Sequence, residues 1–380
     1  MASAYTPGLK VSARTTIEKM RRLPLKGDVL VREGECVTPS TVVARTELPG
    51  AMQTVKLAEL MGIEPADVKG SLLVPVGSAV NRTTVLSRSK GLFGLFKTEV
   101  RSPVEGTLEM VSEQTGHLGI RFPPTPIEKD AYIRGCVKQV IAEEGAVIEC
   151  VGALVQGIFG VGGERQGTIS VPATGPDDAL TEAMLTTRDA GQIVVGGATI
   201  DAAALRKAAA IGVAGIVVGG VVDQELIAYL REALGDPGYD IGVAITGHEA
   251  IPFTVVVTEG FGGIRMAART FGLLRSLQGR TASINGATQI RAGVIRPEVI
   301  VSLDDAAGTE QGRGESGQLL VGTPIRVVRE PYFGLLGTVT ALPSELRQVE
   351  SETWVRILEA HLEDGRVVVV PRANVEIIET

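Results

Sequence analysis

The chain has 380 residues, of which 44% are hydrophobic and 4% aromatic, and its formal net charge is −7. That length allows two to four domains with real cores, and that hydrophobic content excludes a disordered chain. The acidic balance argues against non-specific nucleic-acid binding, which depends on an excess of Lys and Arg.

Residues 1–26 run against the overall charge. Lys10, Arg14, Lys19, Arg21, Arg22 and Lys26 face only Glu18, which predicts a solvated, partly mobile basic arm. The opening residues lack a continuous apolar segment, so no signal peptide is expected. The longest apolar run, Ala208 to Val222, is too short and glycine-rich to span a bilayer. Cys36, Cys136 and Cys150 form no CxxC, and none stands beside a histidine. Structural zinc needs clustered ligands, so no metal site is expected. An odd, sparse cysteine count fits reduced thiols in a cytoplasmic protein.

Residues 27–171 read as a run of small β hairpins. GDVLVREGECVTPSTVVART, from Gly27 to Thr46, matches GSLLVPVGSAVNRTTVLSRS, from Gly70 to Ser89. EGTLEMVSEQTG near Glu105 and RGCVKQVIAEEGAVI near Arg134 echo the first half. Such self-similarity marks a repeated unit, with glycines where turns need positive φ. A short helix over Val55 to Met61, closed by Gly62, separates the two long segments.

The GDVLVREGECV pattern, followed by VRSPVEGTLEMVSEQTG, resembles the barrel-sandwich hybrid fold. That fold occurs in biotinyl and lipoyl carriers, in bacterial RNA polymerase large subunits and in membrane electron-transfer subunits. The resemblance covers Gly27 to Phe122. The carriers attach a cofactor at a lysine in a tight hairpin flanked by Met or Ala. Only Lys90 and Lys97 stand in this region's hairpin, without those flanks. The expectation is a structural hybrid barrel, and the cofactor is unknown. Gly91 to Phe96, GLFGLF, reads as a hairpin tip folded onto a neighbour or as a docking loop. Gln156 to Gly167, QGIFGVGGERQG, reads as a strand-to-strand turn, since it lacks the GK[ST] of a phosphate loop.

Residues 177–303 predict an α/β core with a mostly parallel sheet. Apolar runs at Ile193–Val195, Ile216–Val218 and Val243–Ile245 alternate with helical patterns, the signature of β-α-β units. Thr199 or Asp201 can cap the first helix and Gly212 can end it. The second starts at Asp223 and ends at Gly235, and the third covers Ile264 to Leu277. Ligands of open α/β sheets sit beyond the carboxyl ends of the strands. Here those ends are glycine-bearing. The candidate ligand-binding set is Thr246, Thr258, Glu259, Gly260, Gly262 and Gly263, with Arg291 and Arg296 to neutralise an anion. The competing reading is ordinary tight turns, with Glu259 capping its own helix. His248 is the lone histidine at this edge. No nucleophile–base pair is adjacent, no catalytic residue can be named, and the balance leans away from an enzyme.

A polar, glycine-rich linker, residues 306–317, precedes a C-terminal β module over 321–380. Its five predicted strands suit a small SH3-like barrel. The stretch VGTPIRVVREPYFGLLGTVTAL resembles the KOW motif of NusG-type transcription factors and several ribosomal proteins, through Gly322, Ile325, Val327, Val328, Pro331, Phe333, Gly334, Leu335, Gly337, Thr338 and Val339. The resemblance implies contact with RNA, ribosomal protein or polymerase, and points to Arg329, Tyr332, Phe333 and Leu335 as partner-binding residues. The module carries six arginines against nine carboxylates, which favours a protein partner over phosphate. The leading expectation is therefore a non-catalytic adapter linked to transcription or translation machinery. The alternatives are an enzyme or sensor that binds an anionic small molecule at the core's strand ends, and a homo-oligomeric structural protein.

Overall fold

The computed structural model describes residues 9–88, 98–241, 246–289, 295–303, 319–327, 331–332, 335–348 and 354–377. Its centre is an 11-stranded mixed sheet. The strands used below are β1 (Val11–Arg22), β2 (Gly145–Gln156), β3 (Phe159–Val161), β4 (Arg165–Ser170), β5 (Gln192–Val195), β6 (Gly215–Val221), β7 (Thr254–Phe261), β8 (Thr281–Asn285) and β9 (Glu298–Ser302). Hydrogen bonding runs in the order β3, β7, β6, β5, β4, β8, β9, β2. The two ends of that run, β2 and β3, are consecutive in the chain and joined by Gly157 and Ile158. The sheet therefore curls back on itself.

The expected mostly parallel core is overturned. Among the described residues, the strand pairings β4–β5, β5–β6 and β6–β7 are parallel, with one isolated parallel bridge between Leu180 and Ile200. The flanking pairs β3–β7, β4–β8, β8–β9 and β2–β9 are antiparallel. Alternating helices and apolar runs indicate the parallel crossovers. They carry no information about which later strands return antiparallel to close the sheet. The crossover helices are α1 (Ala202–Ile211) and α2 (Asp223–Leu234), and α3 (Ala268–Ser276) follows β7. Asp201 caps α1 by accepting from the Ala204 N–H, and Gly212 and Gly235 end α1 and α2 in the left-handed region. Val243–Ile245 lies outside the described residues.

Strand alternation sorts the core into two layers. Val194, Ile216, Val218, Val255 and Val257 pack under α1 and α2. Ile193, Val195, Val217 and Val256 point the other way, towards α3, β2, β8 and β9. β6 is buried along its whole length, as a strand covered on both faces must be.

The predicted basic arm is also corrected. β1 pairs antiparallel with β2 from Val11 to Arg22. Ile17, Lys19 and Arg21 share its inward face, where Arg21 is buried and Lys19 half-buried. Their charges are neutralised inside the fold, so composition alone mistook a strand for a solvated tail.

The stretch 27–171 is not one unit, because its last strands, β2 to β4, belong to the large sheet. Within residues 11–149 one β unit is present twice. The first copy uses part of β1, residues 28–48 and residues 125–149. The second uses 52–55, 72–88 and 99–121, and is inserted between the halves of the first. The registers coincide pair by pair. Val29 opposes Ala44 as Leu72 opposes Ser87. Ala44 opposes Lys129 as Ser87 opposes Val100. Val137 opposes Ile148 as Leu108 opposes Ile120, each beside a register shift. Even β1 has its counterpart: Lys19 opposes Ile148 as Gln53 opposes Ile120. The turns match too. Gly34 and Gly77 have φ of 81° and 92°, and Thr41 and Thr84 accept from Thr38 and Asn81 at 3.0 Å.

The copies keep separate cores. Val31, Val43, Ile133 and Ile148 centre the first, and Leu57, Leu86, Leu108 and Ile120 the second. The chain enters and leaves the second through a narrow neck. There Phe122 N–H donates to the Ala51 carbonyl, and a Cβ on Gly50 would lie 2.2 Å from the Phe122 carbonyl oxygen. The GLFGLF segment, with Lys90 and Lys97, lies outside the described residues.

The C-terminal module is a six-stranded antiparallel sheet around its own core of Ile325, Val339, Leu358, Leu362 and Val370. Its strands are β10 (Pro324–Val327), β11 (Leu336–Ala341), β12 (Leu346–Gln348), β13 (Trp354–Leu362), β14 (Val367–Pro371) and β15 (Val375–Ile377). β12 is the strand that the periodicity missed. Residues 306–317 are outside the described residues. Among the described residues no helix is long and apolar enough to cross a membrane.

Candidate functional site

The glycine-bearing strand ends are filled by the protein's own backbone. A Cβ on Gly219 would lie 2.5 Å from the Ile264 carbonyl oxygen, and one on Gly220 would lie 2.2 Å from that of Gly262. Gly197 is covered in the same way by the Gly175 carbonyl. These glycines allow close backbone approach, and the approaching group is the chain itself. The Gly262 N–H donates to the Val221 carbonyl at 2.8 Å, and Gly260 pairs with Gly220. Gly263 is exposed.

The anion at this turn is Glu259. Its Oε1 accepts from the Ala267 N–H at 3.1 Å, just ahead of α3. The cation is Arg326 on β10, 2% exposed. Its Nη1 donates to Glu259 Oε2 at 2.9 Å and to the Thr258 carbonyl at 3.1 Å. The Thr258 hydroxyl bonds the Val218 carbonyl. Of the predicted set, Thr258, Glu259, Gly260 and Gly262 are therefore brought together, but around an internal ion pair. Thr246 goes elsewhere, to Gly286 and Thr288. Arg296 lies beside Pro297, whose carbonyl accepts from Gly157 N–H, and Arg291 is outside the described residues. His248 is exposed. Arg326 could not be placed here from sequence, because it stands 67 residues from Glu259.

This ion pair fastens the C-terminal module to the large sheet, and a cleft of about 280 Å³ opens beside it. Ala267, Arg269, Thr270, Thr338, His361 and Glu363 line it. Thr270 is 4% exposed. Its hydroxyl has no hydrogen-bond partner among the described residues and is not sealed from solvent. Arg269 reaches the Val11 carbonyl at 3.4 Å.

A second constellation escaped sequence reasoning. Arg21 forms a two-pronged pair with Glu164 at 2.7 and 2.6 Å and lies 5.3 Å from the centre of the Tyr132 ring. Lys19 pairs with buried Glu298. Tyr132 has φ of 68° and sits at the centre of a three-residue turn closed by Ile133 N–H on the Ala131 carbonyl, a strained conformation for a bulky residue. Burial pushes its phenol well up, and the Glu298 and Glu164 charges push it further. Glu298 is near enough for that, though not in hydrogen-bonding geometry. Burial raises the Glu164 carboxyl, but Arg21 outweighs it and holds the group below its ordinary range. Neither the cleft beside Thr270 nor the one at Cys36 and Cys136 is lined by these residues. The cluster stitches β1 into the sheet. Its signal in the sequence was a charged residue at every second position, in phase with Ile17.

In the C-terminal module, Tyr332 and Leu335 are half-buried against its own core, and Tyr332 stacks under Arg366. Arg329 and Phe333 are outside the described residues. Other apolar side chains are exposed, among them Leu346, Trp354, Val367 and Val369. They lie on neighbouring strands, since β13 pairs with both β12 and β14. Trp354, the only tryptophan, is 63% exposed. Arg347 opposes its neighbour Val355, and Arg356 opposes Leu346. The run RVVVV, apolar in both phases, was the readable sign of this face.

No family model matches the chain, and no curated protein matches it. Among the described residues no group of three or more His, Cys, Asp or Glu could hold a metal ion.

Proposed function

We propose that the protein is an adapter that binds a protein partner through the outer face of its C-terminal module. The observation that carries this reading is the exposed apolar pair of Trp354 and Leu346 on neighbouring strands. An exposed large aromatic beside an aliphatic, with arginines on the same strands, is the composition of an interface centre. Arg326 holds the module on the large sheet, while Trp354 and Leu346 stay exposed. The KOW resemblance of residues 321–380 agrees with this use and points to a protein of the transcription or translation machinery. Arg347 and Arg356 match a partner with acidic side chains around an apolar patch. Trp354 supplies the test. Captured partner should shift its fluorescence to the blue, and Trp354→Glu or Leu346→Glu should abolish capture while leaving the fold intact. Equal capture by both variants would move the interface elsewhere.

A second reading is a small-anion site in the cleft beside α3. The unpartnered, nearly buried Thr270 hydroxyl favours it, together with Arg269 on the same cleft wall. Phosphate or a small carboxylate should raise the melting temperature of the wild type and not of Thr270→Val. An equal rise in both would exclude the cleft.

A further inference from the structure

The two copies of the β unit differ at one chemically pointed place. Cys36 and Cys136 oppose each other and are joined by a disulfide. In the second copy the same register brings Ala79 opposite Thr107. The neighbouring pair is equivalent too, Val37 with Gly135 and Val80 with Gly106. The unit thus attains the same pairing without a cross-link. Around the disulfide, Gly34 N–H donates to the Val137 carbonyl, and Val137 N–H to that of Glu35, both at 2.8 Å. The backbone is held there independently of the sulfurs. This corrects the expectation of three reduced thiols, and it raises the question of what the bond does.

Both half-cystines are exposed. They line a cleft of about 220 Å³ together with Arg134, Glu149, Cys150 and Ser302. All three cysteines of the chain therefore converge on one opening. Cys150 is buried, with the Ser302 hydroxyl 3.5 Å from its sulfur. The charges facing the opening are the Arg134 guanidinium and the Glu149 carboxylate, and Lys138 engages Glu149 at 2.6 Å. An exposed disulfide is the kind that exchanges.

We propose that Cys36–Cys136 is a thiol–disulfide exchange site for small-molecule thiols. A thiolate enters the cleft and attacks the sulfur of one half-cystine. The protein S–S bond breaks, a mixed disulfide forms, and the other cysteine leaves as a thiolate. A second thiolate attacks the small-molecule sulfur of the mixed disulfide, releasing the oxidised dimer and the second protein thiolate. The protein disulfide gains two electrons, two thiols are oxidised to one disulfide, and both protein thiolates take protons from water. The oxidised small molecule reverses the sequence. Reduction removes the only covalent tie between 28–48 and 125–149 among the described residues, while the strand pairing persists as it does in the second copy.

The test equilibrates the folded, full-length protein in mixtures of reduced and oxidised glutathione, then traps thiols by alkylation for mass spectrometry. Cys36 and Cys136 are expected to become labelled together, reversibly, with circular dichroism unchanged, while Cys150 stays unlabelled until denaturant is added. Reduction should proceed at the same rate in sub-denaturing urea, since no unfolding is needed. In Cys36→Ala, oxidised glutathione should form a mixed disulfide at Cys136. A bond that resists millimolar reduced glutathione, or is reduced only as urea opens the fold, would overturn the proposal. Absence of a mixed disulfide on folded Cys36→Ala would do the same.

Discussion

The first copy of the β unit is embedded and the second stands clear. The first shares β1 and β2 with the large sheet, carries a buried ion pair at Arg21 and is cross-linked through Cys36. The second meets the rest of the chain at Gly50 and Phe122, has Val55 where the first has Arg21, and has Ala79 where the first has Cys36. The same register in both settings shows that hairpin turns, glycines and alternating apolar residues suffice to specify the unit. The polar and covalent additions in the first copy answer to its setting: they join it to the sheet and give it a reactive surface.

The largest expected effect comes from making the first copy resemble the second at its buried charge. Arg21→Val leaves Glu164 partly buried without its partner and should cost about 3–5 kcal/mol. Pairing it with Glu164→Leu should recover most of that, as measured by urea denaturation. A neutral single substitution would mean that the ion pair is ornamental and the copies are interchangeable there.

Leu108→Ala tests whether the second copy has a core of its own. Leu108 is fully buried in it, so the loss should be roughly 2–5 kcal/mol. Calorimetry should show a lowered transition for this unit while the large-sheet transition stays put. A single, uniformly shifted transition would merge the two cores into one cooperative block.

Exchanging Cys36→Ala and Cys136→Thr gives the first copy the residues of the second. The loss of the cross-link should cost roughly 2–4 kcal/mol with the amide spectrum of the unit preserved. A spectrum that collapses would show that the disulfide specifies the register after all.

The smallest effect is on pH dependence. The Glu164 carboxyl is held below its ordinary range in the folded protein. Its contribution is therefore complete above the unfolded value, about 4.3, and is lost as pH falls through the lower folded value. Melts in this acid window should fall less steeply for Glu164→Gln than for the wild type. Parallel curves would assign the acid sensitivity to other groups.

These contrasts also show what was legible. The repeat could be read because its determinants are local: Gly34 and Gly77, the Thr41 and Thr84 turns, and the apolar alternation. The caps of α1 and α2 were legible for the same reason. The curled, mostly antiparallel sheet was not, because pairing β1 with β2 joins residues with no pattern in common. The ligand set failed in an instructive way. Glycines at the strand ends suggest accessible backbone, but Arg326, from the next module, and the 262–266 backbone occupy the approach. The disulfide joins positions 100 residues apart, and only the alignment of the two copies makes its place meaningful.

The most direct test of the duplicated unit is to express residues 51–122 alone and record its amide spectrum and hydrogen exchange. One fold used twice, with its own core in each copy, predicts a dispersed spectrum and slow exchange in Gly106–Val111 and Leu118–Arg121. A collapsed spectrum with uniformly fast exchange would contradict it, and would make the second copy a dependent outgrowth of the large sheet.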